Sequence, residues 1–400
     1  ISMAMSTPSD SGTLSDVTCL LQRMVQMDSI SGILCDRERS EQPLIDMLYT
    51  QAKDWGLHPT LLPVPGLSDQ LFITAAPVEG DTRPLLIFDS HTDTVGVEGM
   101  VVEPFGAEIR DGKMYGRGTC DTKGTGAAML CALKKYAERA EQPVRVAVMF
   151  SVDEEVSMDG IKHFLNKDYE GIKGDAPSVS VIVGEPTDLR PYVAHNGVLR
   201  WKLVTSGVAA HSSRPFNGRS AITPMLTLLQ VVESEYIPSV TASHDLIGRA
   251  ACAVTMLKGG HSPNVIADHC EALIDRRLSP GHASETVAKA TEALKEVLDG
   301  TGLPYSLSTL MSVPSFSQTH NAELTERVSA SLEVSRGEGA GVPTGINFCT
   351  HASWFSTHGV PCVVLGPGLS DKAHTKDEYI CLDRLEQGVE VYLALMNDLC

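Results

Sequence analysis

The sequence has few basic residues for its length. Its 400 residues include 32 Lys and Arg against 50 Asp and Glu, which gives a formal net charge of −18 at pH 7. Because nucleic acids and anionic membrane surfaces repel an acidic protein, we expect neither as a partner. This charge balance is typical of a soluble protein.

Long apolar runs are also absent. No stretch approaches the roughly 18 apolar residues of a membrane-spanning helix. The opening segment, ISMAMSTPSDSG, lacks the charged and apolar parts of a secretion signal. We therefore expect a cytoplasmic protein without a membrane partner, and we expect residues 1–12 to be unstructured.

Closely paired cysteines are missing as well. The ten cysteines form no CxxC pair and no tightly spaced framework. Such spacing argues against a cysteine metal site, and it favours reduced thiols over disulfides.

Four short apolar runs rich in β-branched residues stand out, at 85–90, 144–150, 179–185 and 360–366. Runs of this kind are typical of strands covered on both faces of a sheet. Between the first two we predict a hairpin turn at Asp111-Gly112 and a helix over 123–138. Strands that alternate with helices predict an α/β fold, a mixed sheet sandwiched by helices.

Residues 197–310 have a different pattern, in which strand, helix, strand, strand, helix and strand follow one another. That order predicts a ferredoxin-like α+β unit. Because the run at 360–366 belongs with the first sheet, we predict an inserted lid and dimerisation domain over 197–309. The catalytic domain then comprises 1–196 and 310–400.

Charged residues follow the predicted strands directly. The run at 144–150 leads into Asp153, Glu154 and Glu155, and the run at 85–90 leads into His91 and Asp93. On an extended chain His91 and Asp93 point the same way, so the carboxylate can hold one imidazole nitrogen while the other binds a metal. A solvated loop histidine is the alternative for this motif alone.

Three more candidate ligands occupy similar positions. Asp121 lies in the Gly-rich bend GRGTCDTKGTG, and Glu185 and His374 lie at or beyond the ends of two other apolar runs. A phosphate-binding loop would need the order G-K-[ST], which Lys123-Gly124 does not supply. Because α/β sheets bind ligands at the ends of their strands, we expect these residues to meet in one cluster.

Several carboxylates in a buried crevice would repel one another and raise their own pKa values, a cost that bound dications remove. Two Zn²⁺ ions carry four positive charges, which three carboxylate ligands and one hydroxide balance. One of the neighbours Glu154 and Glu155 is then left for proton transfer. The residues alone do not say which of the two it is.

Six motifs carry a resemblance: HTDTV (91–95), GRGTCDTKG (116–124), DEE (153–155), GEPT (184–187), AAHSS (209–213) and the AH of KAHTKDEY. They resemble the dinuclear zinc amidohydrolase and peptidase family. Its members include acetylornithine deacetylase, succinyl-diaminopimelate desuccinylase, aminoacylase and glutamate carboxypeptidase. The motifs appear in the family's order and span nearly the whole chain.

The resemblance implies a centre of two Zn²⁺ ions, for which Co²⁺ or Mn²⁺ are possible substitutes because they accept the same ligands. It implies that His91, Asp121 and Glu185 hold one ion. It implies that Asp121, Glu155 and His374 hold the other, so that Asp121 bridges the two.

The same resemblance implies roles for residues that bind no metal. Glu154 is the expected general base, and Asp93 the residue that orients the first histidine. His211 is expected to stabilise the oxyanion in the site of a partner subunit, which implies a homodimer formed through the inserted domain. Asn264 and Arg277 are expected to bind the substrate's carboxylate. A surface ion pair is the alternative for Arg277.

The resemblance further implies hydrolysis of the amide bond of an N-acyl amino acid. Cys349-Thr350 and LGPG (365–368) look most like acetylornithine deacetylase, which favours N2-acetyl-L-ornithine and arginine biosynthesis. His351 and Ser353 stand where many relatives carry an acidic residue and an arginine, which counts against the diaminopimelate branch. A dizinc exopeptidase, an aminoacylase and the desuccinylase are the alternatives. A non-catalytic binding protein is the alternative of another class.

Three further residues lie close to these motifs in the sequence. His195, ten residues after Glu185, is a candidate to approach the site. Cys120 and Cys349 border the motifs, yet a metal-activated water makes a cysteine nucleophile unnecessary and no partner residues for one are evident.

Overall fold

The computed structural model describes residues 14–77, 80–317 and 321–398. Residues 1–12, predicted to be unstructured, lie outside these ranges. The strands are β1 (His58–Leu62), β2 (Gln70–Thr74), β3 (Leu85–His91), β4 (Glu108–Arg110), β5 (Lys113–Tyr115), β6 (Arg145–Ser151), β7 (Val179–Val183), β8 (Tyr192–His195), β9 (Gly197–Ser206), β10 (Ser243–His244), β11 (Gly248–Arg249), β12 (Ala251–Gly259), β13 (His269–Leu278), β14 (Ser306–Val313), β15 (Phe316–Ser317), β16 (Thr344–Ile346), β17 (Cys362–Val364) and β18 (Tyr379–Cys381).

The helices are α1 (Asp16–Val25), α2 (Gly32–Cys35), α3 (Gln42–Asp54), α4 (Lys123–Ala137), α5 (Asp159–His163), α6 (Tyr169–Lys173), α7 (Ile222–Val231), α8 (Ile237–Ser239), α9 (Val287–Asp299), α10 (Ala322–Arg336), α11 (Ala352–Thr357) and α12 (Leu382–Asp398). Two π-helical turns, Phe164–Asp168 and Val232–Tyr236, continue α5 and α7. None of the described helices has the length and hydropathy that crossing a bilayer requires.

The four apolar runs form the centre of a mixed sheet with the order β1-β2-β6-β3-β7-β17-β8-β15, and β16 also pairs with β8. Strand β3 runs parallel to β6 and β7, and β17 runs parallel to β7, whereas β2 is antiparallel to β6. Helices α1, α3, α4, α10 and α12 cover one face, and α5, α6 and α11 cover the other. The predicted α/β sandwich is therefore confirmed.

Two local predictions between β3 and β6 are also confirmed. The hairpin of β4 and β5 turns at Asp111 and Gly112, both of which have positive φ. The predicted helix is α4, which begins at Lys123. The bend that contains Asp121 therefore leads directly into a helix packed on the central sheet.

A second sheet has the order β12-β13-β9-β14, and its three pairings are antiparallel. Together with α7 and α9 it has its own apolar core, in which Trp201 is fully buried. The order β9, α7, β12, β13, α9, β14 is the one predicted for a ferredoxin-like unit. The hairpin of β10 and β11 is an addition that the sequence pattern did not indicate.

The described cysteines are all free, as predicted, while Cys400 lies outside the described residues. Four of the nine described cysteines are buried: Cys120, Cys131, Cys270 and Cys362. Disulfides therefore contribute nothing to the stability of the described part of the chain.

Helix α4 lies unusually close to the central strands. A Cβ added at Gly126 would lie 2.7 Å from Cε1 of Phe150 and 2.9 Å from Oγ of Ser90. Only glycine allows this approach, which holds the start of α4 against β3 and β6.

We therefore expect Gly126→Ala to lower the free energy of unfolding by about 1–3 kcal/mol, because the added methyl group overpacks the contact with Phe150. Gly171→Ala is the matched control, since Gly171 lies in α6 and has no atom within 4 Å of an added Cβ. In a helix that change should be neutral or stabilise by up to about 1 kcal/mol. Urea unfolding curves measure both, and equal losses would contradict the packing argument.

Candidate metal centre

The candidate ligands meet at the carboxyl edge of the central sheet. His91 is the last residue of β3, and Glu155 and Glu185 follow β6 and β7. One ligand atom each from His91, Asp121 and Glu155 lie within 4.8 Å of one another. Asp121, Glu155, Glu185 and His374 line a single cavity of about 280 Å³. The structure thus brings together the residues that the sequence predicted as ligands.

Asp121 lies between two imidazoles. Its Oδ1 is 3.1 Å from Nε2 of His91, and its Oδ2 is 3.2 Å from Nε2 of His374. The same His374 nitrogen is 2.9 Å from Oε1 of Glu155. Burial by itself would raise the pKa of Asp121, but His374 and His91 outweigh it and lower this pKa. The two oxygens of one carboxylate therefore face two different imidazoles.

Two other acids of the cavity, Glu154 and Glu185, have raised pKa values and therefore tend to stay protonated. Burial raises the pKa of Glu154 well above its usual value, and Glu155 raises it further while His91 opposes the shift. Burial also raises the pKa of Glu185, followed by the charges of Asp121 and Glu154. Such a cluster cannot ionise fully without added positive charge. Divalent cations bound among these residues would supply it.

The donor set fits that interpretation. Two imidazoles and three carboxylates are ligands that Zn²⁺ accepts, and Co²⁺ and Mn²⁺ accept the same groups. Cys349 also lines the cavity, but burial and then the charge of Glu154 raise the pKa of its thiol to about 12. The protonated thiol is a poor ligand and a poor nucleophile.

Asp93 contacts His91, as predicted, and it also holds the acidic turn. Nδ1 of His91 is 2.9 Å from the backbone oxygen of Asp93 but 3.5 Å from its carboxylate oxygen Oδ1. The carboxylate also accepts the backbone N–H groups of Glu154 and Glu155, both at 3.0 Å. The carbonyl group is therefore the closer contact of the imidazole. The side chain of Asp93 fixes the acidic turn, because it is buried beside the end of β6.

The acidic turn departs from the extended conformation of the strand before it. Glu154 and Glu155 do not alternate along an extended strand, because β6 ends at Ser151 and Asp153 has φ 62°. A left-handed residue at this position turns the chain, and both glutamate side chains line the same cavity. The two acids lie side by side as a result.

Sequence reasoning missed Glu378, although it lies in the quoted motif KAHTKDEY. Its Oε1 accepts the backbone N–H groups of Cys120 at 2.9 Å and Asp121 at 3.1 Å. Arg117 pairs with its other oxygen and donates to the backbone oxygen of Gly96. This buried ion pair holds the bend that presents Asp121. The only sequence signal was an acid close to a candidate ligand.

Three predicted substrate and oxyanion residues come from the second sheet and its loops, and only one reaches the cavity. Arg277 lines it, and its Nε donates to Oδ1 of Asp275 at 2.8 Å. His211 and Asn264 lie together, with Ser212 N–H donating to the backbone oxygen of Asn264. His211 contacts Ser213, and neither His211 nor Asn264 lines the cavity of its own chain.

His195 and Cys120 have local partners and do not line the cavity. Nδ1 of His195 donates to the backbone oxygen of Asn196, and its Nε2 accepts the N–H of Thr350. Burial lowers the pKa of His195 to about 4, so the ring is neutral. The thiol of Cys120 donates to the backbone oxygen of Leu369, and burial raises its pKa well above the usual value. His195 thus supports the segment next to the cavity.

An α/β sheet with carboxylates and imidazoles gathered at the ends of its strands is typical of metal-dependent hydrolases. The chain belongs to peptidase family M20/M25/M40, whose model matches residues 87–398. It is therefore a hydrolase of a metal-dependent family, and the cluster described above is its candidate metal site.

Two relatives of known name match nearly the whole chain. The acetylornithine deacetylase of Pasteurella multocida is 29% identical over 385 residues, which cover 94% of this chain and 96% of the relative. The acetylornithine deacetylase of Pectobacterium carotovorum is 28% identical over 401 residues, which cover 95% and 97%.

Solved structures share the fold at lower identity. An M20 family metallo-carboxypeptidase of Sulfolobus solfataricus has a TM-score of 0.78 at 18% identity, over 96% of this chain and 99% of that one. The YXEP protein of Bacillus subtilis, a dinuclear metal binding peptidase of the M20 family, has a TM-score of 0.68 at 14% identity, over 96% and 98%.

Proposed function

We propose that the protein hydrolyses the amide bond of an N-acyl amino acid, with two Zn²⁺ ions as its cofactors. The observation that carries the proposal is the position of Asp121, whose two carboxylate oxygens face His91 and His374. A carboxylate shared in this way is what a bridged pair of cations requires. Glu154 lines the same cavity without being needed as a ligand.

In this proposal His91, Asp121 and Glu185 hold one ion, while Asp121, Glu155 and His374 hold the other. Co²⁺ and Mn²⁺ are possible substitutes because they bind the same donors. When bound, such a pair of cations lowers the pKa of a water molecule and polarises a carbonyl group. The buried pair of Arg117 and Glu378 keeps Asp121 in the bridging position.

Glu154 is the proposed general base. Its backbone N–H is fixed by the carboxylate of Asp93, and its side chain lies in the cavity beside the candidate ligands. From there it can take a proton from the attacking water and pass it to the leaving amine. Asp93 therefore acts by positioning the turn that carries both the base and Glu155.

Arg277 is the proposed partner of the substrate's carboxylate. Asp275 accepts the Nε–H of Arg277 and two N–H groups of Arg200, which orients the guanidinium group of Arg277 at the cavity. Its two terminal nitrogens have no hydrogen bond within the described part of the chain, so a bidentate contact with a carboxylate fits.

His211 and Asn264 are proposed to act in the site of a partner subunit, with His211 stabilising the oxyanion and Asn264 contacting substrate. A homodimer formed through the inserted domain, residues 197–309 between catalytic segments 1–196 and 310–400, would bring them there. Edge strand β12 and helix α7 support this proposal, because they expose a group of apolar side chains: Ile222, Leu226, Met256 and Leu257.

The substrate that we propose first is N2-acetyl-L-ornithine, cleaved to ornithine and acetate. The name shared by the relatives at 28 and 29% identity supports it. Arginine biosynthesis in the cytoplasm is the setting that this substrate implies. A desuccinylase or an exopeptidase would use the same chemistry on a different acyl or amino-acid group.

The cavity wall favours a second candidate, an aminoacylase for N-acyl amino acids with uncharged side chains. The wall is lined by the apolar side chains of Met158, Met311, Phe348 and Ala373, and the guanidinium group of Arg277 adds a positive charge. Every carboxylate among the described lining residues belongs to the metal cluster or is the base. Among the described lining residues, no acid is then left to pair with the ammonium group of an ornithine side chain.

The division of roles predicts different losses at neighbouring positions. Glu154→Gln should keep its metal and lower kcat about 10²- to 10⁴-fold, because it removes proton transfer alone. Glu155→Gln should reduce the metal content, because it removes a ligand and leaves the base in place. Turnover and metal per chain measure both variants, and equal metal loss in both would refute the assignment.

The substrate proposal is tested with a pair of compounds that differ by one ammonium group. N-acetylornithine and N-acetylnorvaline have side chains with the same carbon skeleton. Both compounds should be hydrolysed, and the first candidate predicts a kcat/KM about tenfold higher for N-acetylornithine. The reverse order would support the second candidate, the aminoacylase. If the protein hydrolyses neither compound, and no N-succinyl amino acid or dipeptide either, the proposal of amide hydrolysis is refuted.

The dimer proposal predicts complementation between inactive subunits. A homodimer in which both chains carry His211→Ala should be inactive, and so should one in which both chains carry Glu154→Gln. In a mixed dimer one site receives an intact His211 and an intact Glu154, so that about half of the sites recover in each hybrid. Activity after subunit mixing measures this recovery. No recovery, with hybrids present by native mass spectrometry, would show that His211 acts within its own chain or not at all.

A further inference from the structure

Asp89 and His351 form a buried pair beneath the candidate metal centre. Asp89 lies in β3, and His351 immediately precedes α11. Nδ1 of His351 is 2.8 Å from Oδ2 of Asp89, and Oγ of Ser151 donates to Oδ1 of Asp89 at 2.8 Å. The side chains are 1% and 2% exposed for Asp89 and His351. A carboxylate and an imidazole buried this deeply must rely on each other for hydrogen bonding.

The three residues do not form a nucleophilic triad. Ser151 and Asp89 both face Nδ1 of His351, with Oγ of Ser151 at 3.5 Å, whereas a triad needs the serine on Nε2. Within the described part of the chain, Nε2 of His351 is buried without a hydrogen-bond partner. None of the three residues lines the cavity. Their role is therefore to hold structure.

The pair joins two parts of the site that are distant in sequence. On one side, Asp89 belongs to the strand that ends in His91, and Ser151 ends β6 just before the acidic turn. On the other side, Phe348 and Cys349 line the cavity directly before Thr350 and His351. The cavity wall at 348–349 is therefore attached to the two strands that carry the metal cluster.

A second histidine holds the same segment. The N–H of Thr350 donates to Nε2 of His195, whose other nitrogen donates to the backbone oxygen of Asn196. Consecutive residues, Thr350 and His351, are thus each fixed to the central sheet through an imidazole. The positions of the wall residues Phe348 and Cys349 therefore depend on where Thr350 and His351 are held.

We propose that Asp89 and His351 are positioning residues that fix the cavity wall at Phe348 and Cys349 relative to the metal cluster, and that they thereby set the affinity for substrate. The part about substrate rests on the proposed amide hydrolysis. Neither residue touches the reacting atoms, so the bond between them should influence KM more than kcat.

Three substitutions at one position test the bond itself. His351→Asn keeps a nitrogen donor at the place of Nδ1, His351→Gln moves the donor one bond further out, and His351→Leu removes it. We expect KM to rise roughly tenfold in the Gln and Leu variants and to stay within about twofold in the Asn variant. The kcat value and the metal content per chain should change little. His358→Gln, at the exposed other end of α11, is the control and should behave like the unaltered protein.

Hydrogen exchange gives a measurement that needs no substrate. The backbone amides of residues 348–350 should exchange at least about tenfold faster in His351→Gln than in His351→Asn, because local opening is easier once the tether is displaced. If His351→Leu fails to fold, because Asp89 is left buried without its partner, the comparison of Asn with Gln decides alone.

Two results would overturn the proposal. Unchanged KM and unchanged exchange in His351→Gln, with only a lower melting temperature, would make the pair a general support of the core. Loss of kcat and of metal with KM unchanged would show that it acts on the metal cluster instead. If the unaltered protein hydrolyses no acyl amino acid, the proposed function fails, and the exchange experiment still supports or overturns the tether.

Discussion

Repulsion between buried carboxylates is the constraint on which the rest of this structure depends. Asp121, Glu154, Glu155 and Glu185 line one cavity at the carboxyl edge of the central sheet, where burial raises the pKa of the three glutamates. Two imidazoles offset part of that charge at Asp121. Ionised carboxylates in such a place need strong positive partners, which is why the family's metal dependence and this geometry agree.

The surrounding residues hold the acids against this repulsion through backbone contacts. Glu378 accepts the N–H of Asp121, and Asp93 accepts those of Glu154 and Glu155. Each support is buried, and each fixes the main chain without engaging the side chains of Asp121, Glu154 and Glu155. Gly126 adds to this by letting α4 lie directly on β3 and β6. The precision of the site thus comes from residues that do not belong to it.

Of the three candidate residues on the second sheet and its loops, only one reaches the cavity. Arg277 reaches the cavity from β13, while His211 and Asn264 lie together on the same unit and away from it. A site completed by a partner subunit would account for both observations, because one chain would then supply the metal cluster and another the oxyanion contact. The wall at 348–349, tied to the strands through His351, would form the opposite boundary of the substrate's space.

The sequence by itself determined the α/β layout, the edge of the sheet at which the candidate ligands meet and the residue types gathered there. These follow from local patterns: apolar β-branched runs, strands that end in acids or histidines, and motifs in a fixed order. Only the tertiary structure decided that Asp153 turns the chain so that both glutamates face one cavity, and that the carboxylate of Asp93 holds the backbone of this turn in addition to contacting His91. It also revealed the contacts of Glu378 and of His351, which join residues 258 and 262 positions apart. No local pattern encodes such pairs, because they exist only once the sheet has brought distant segments together.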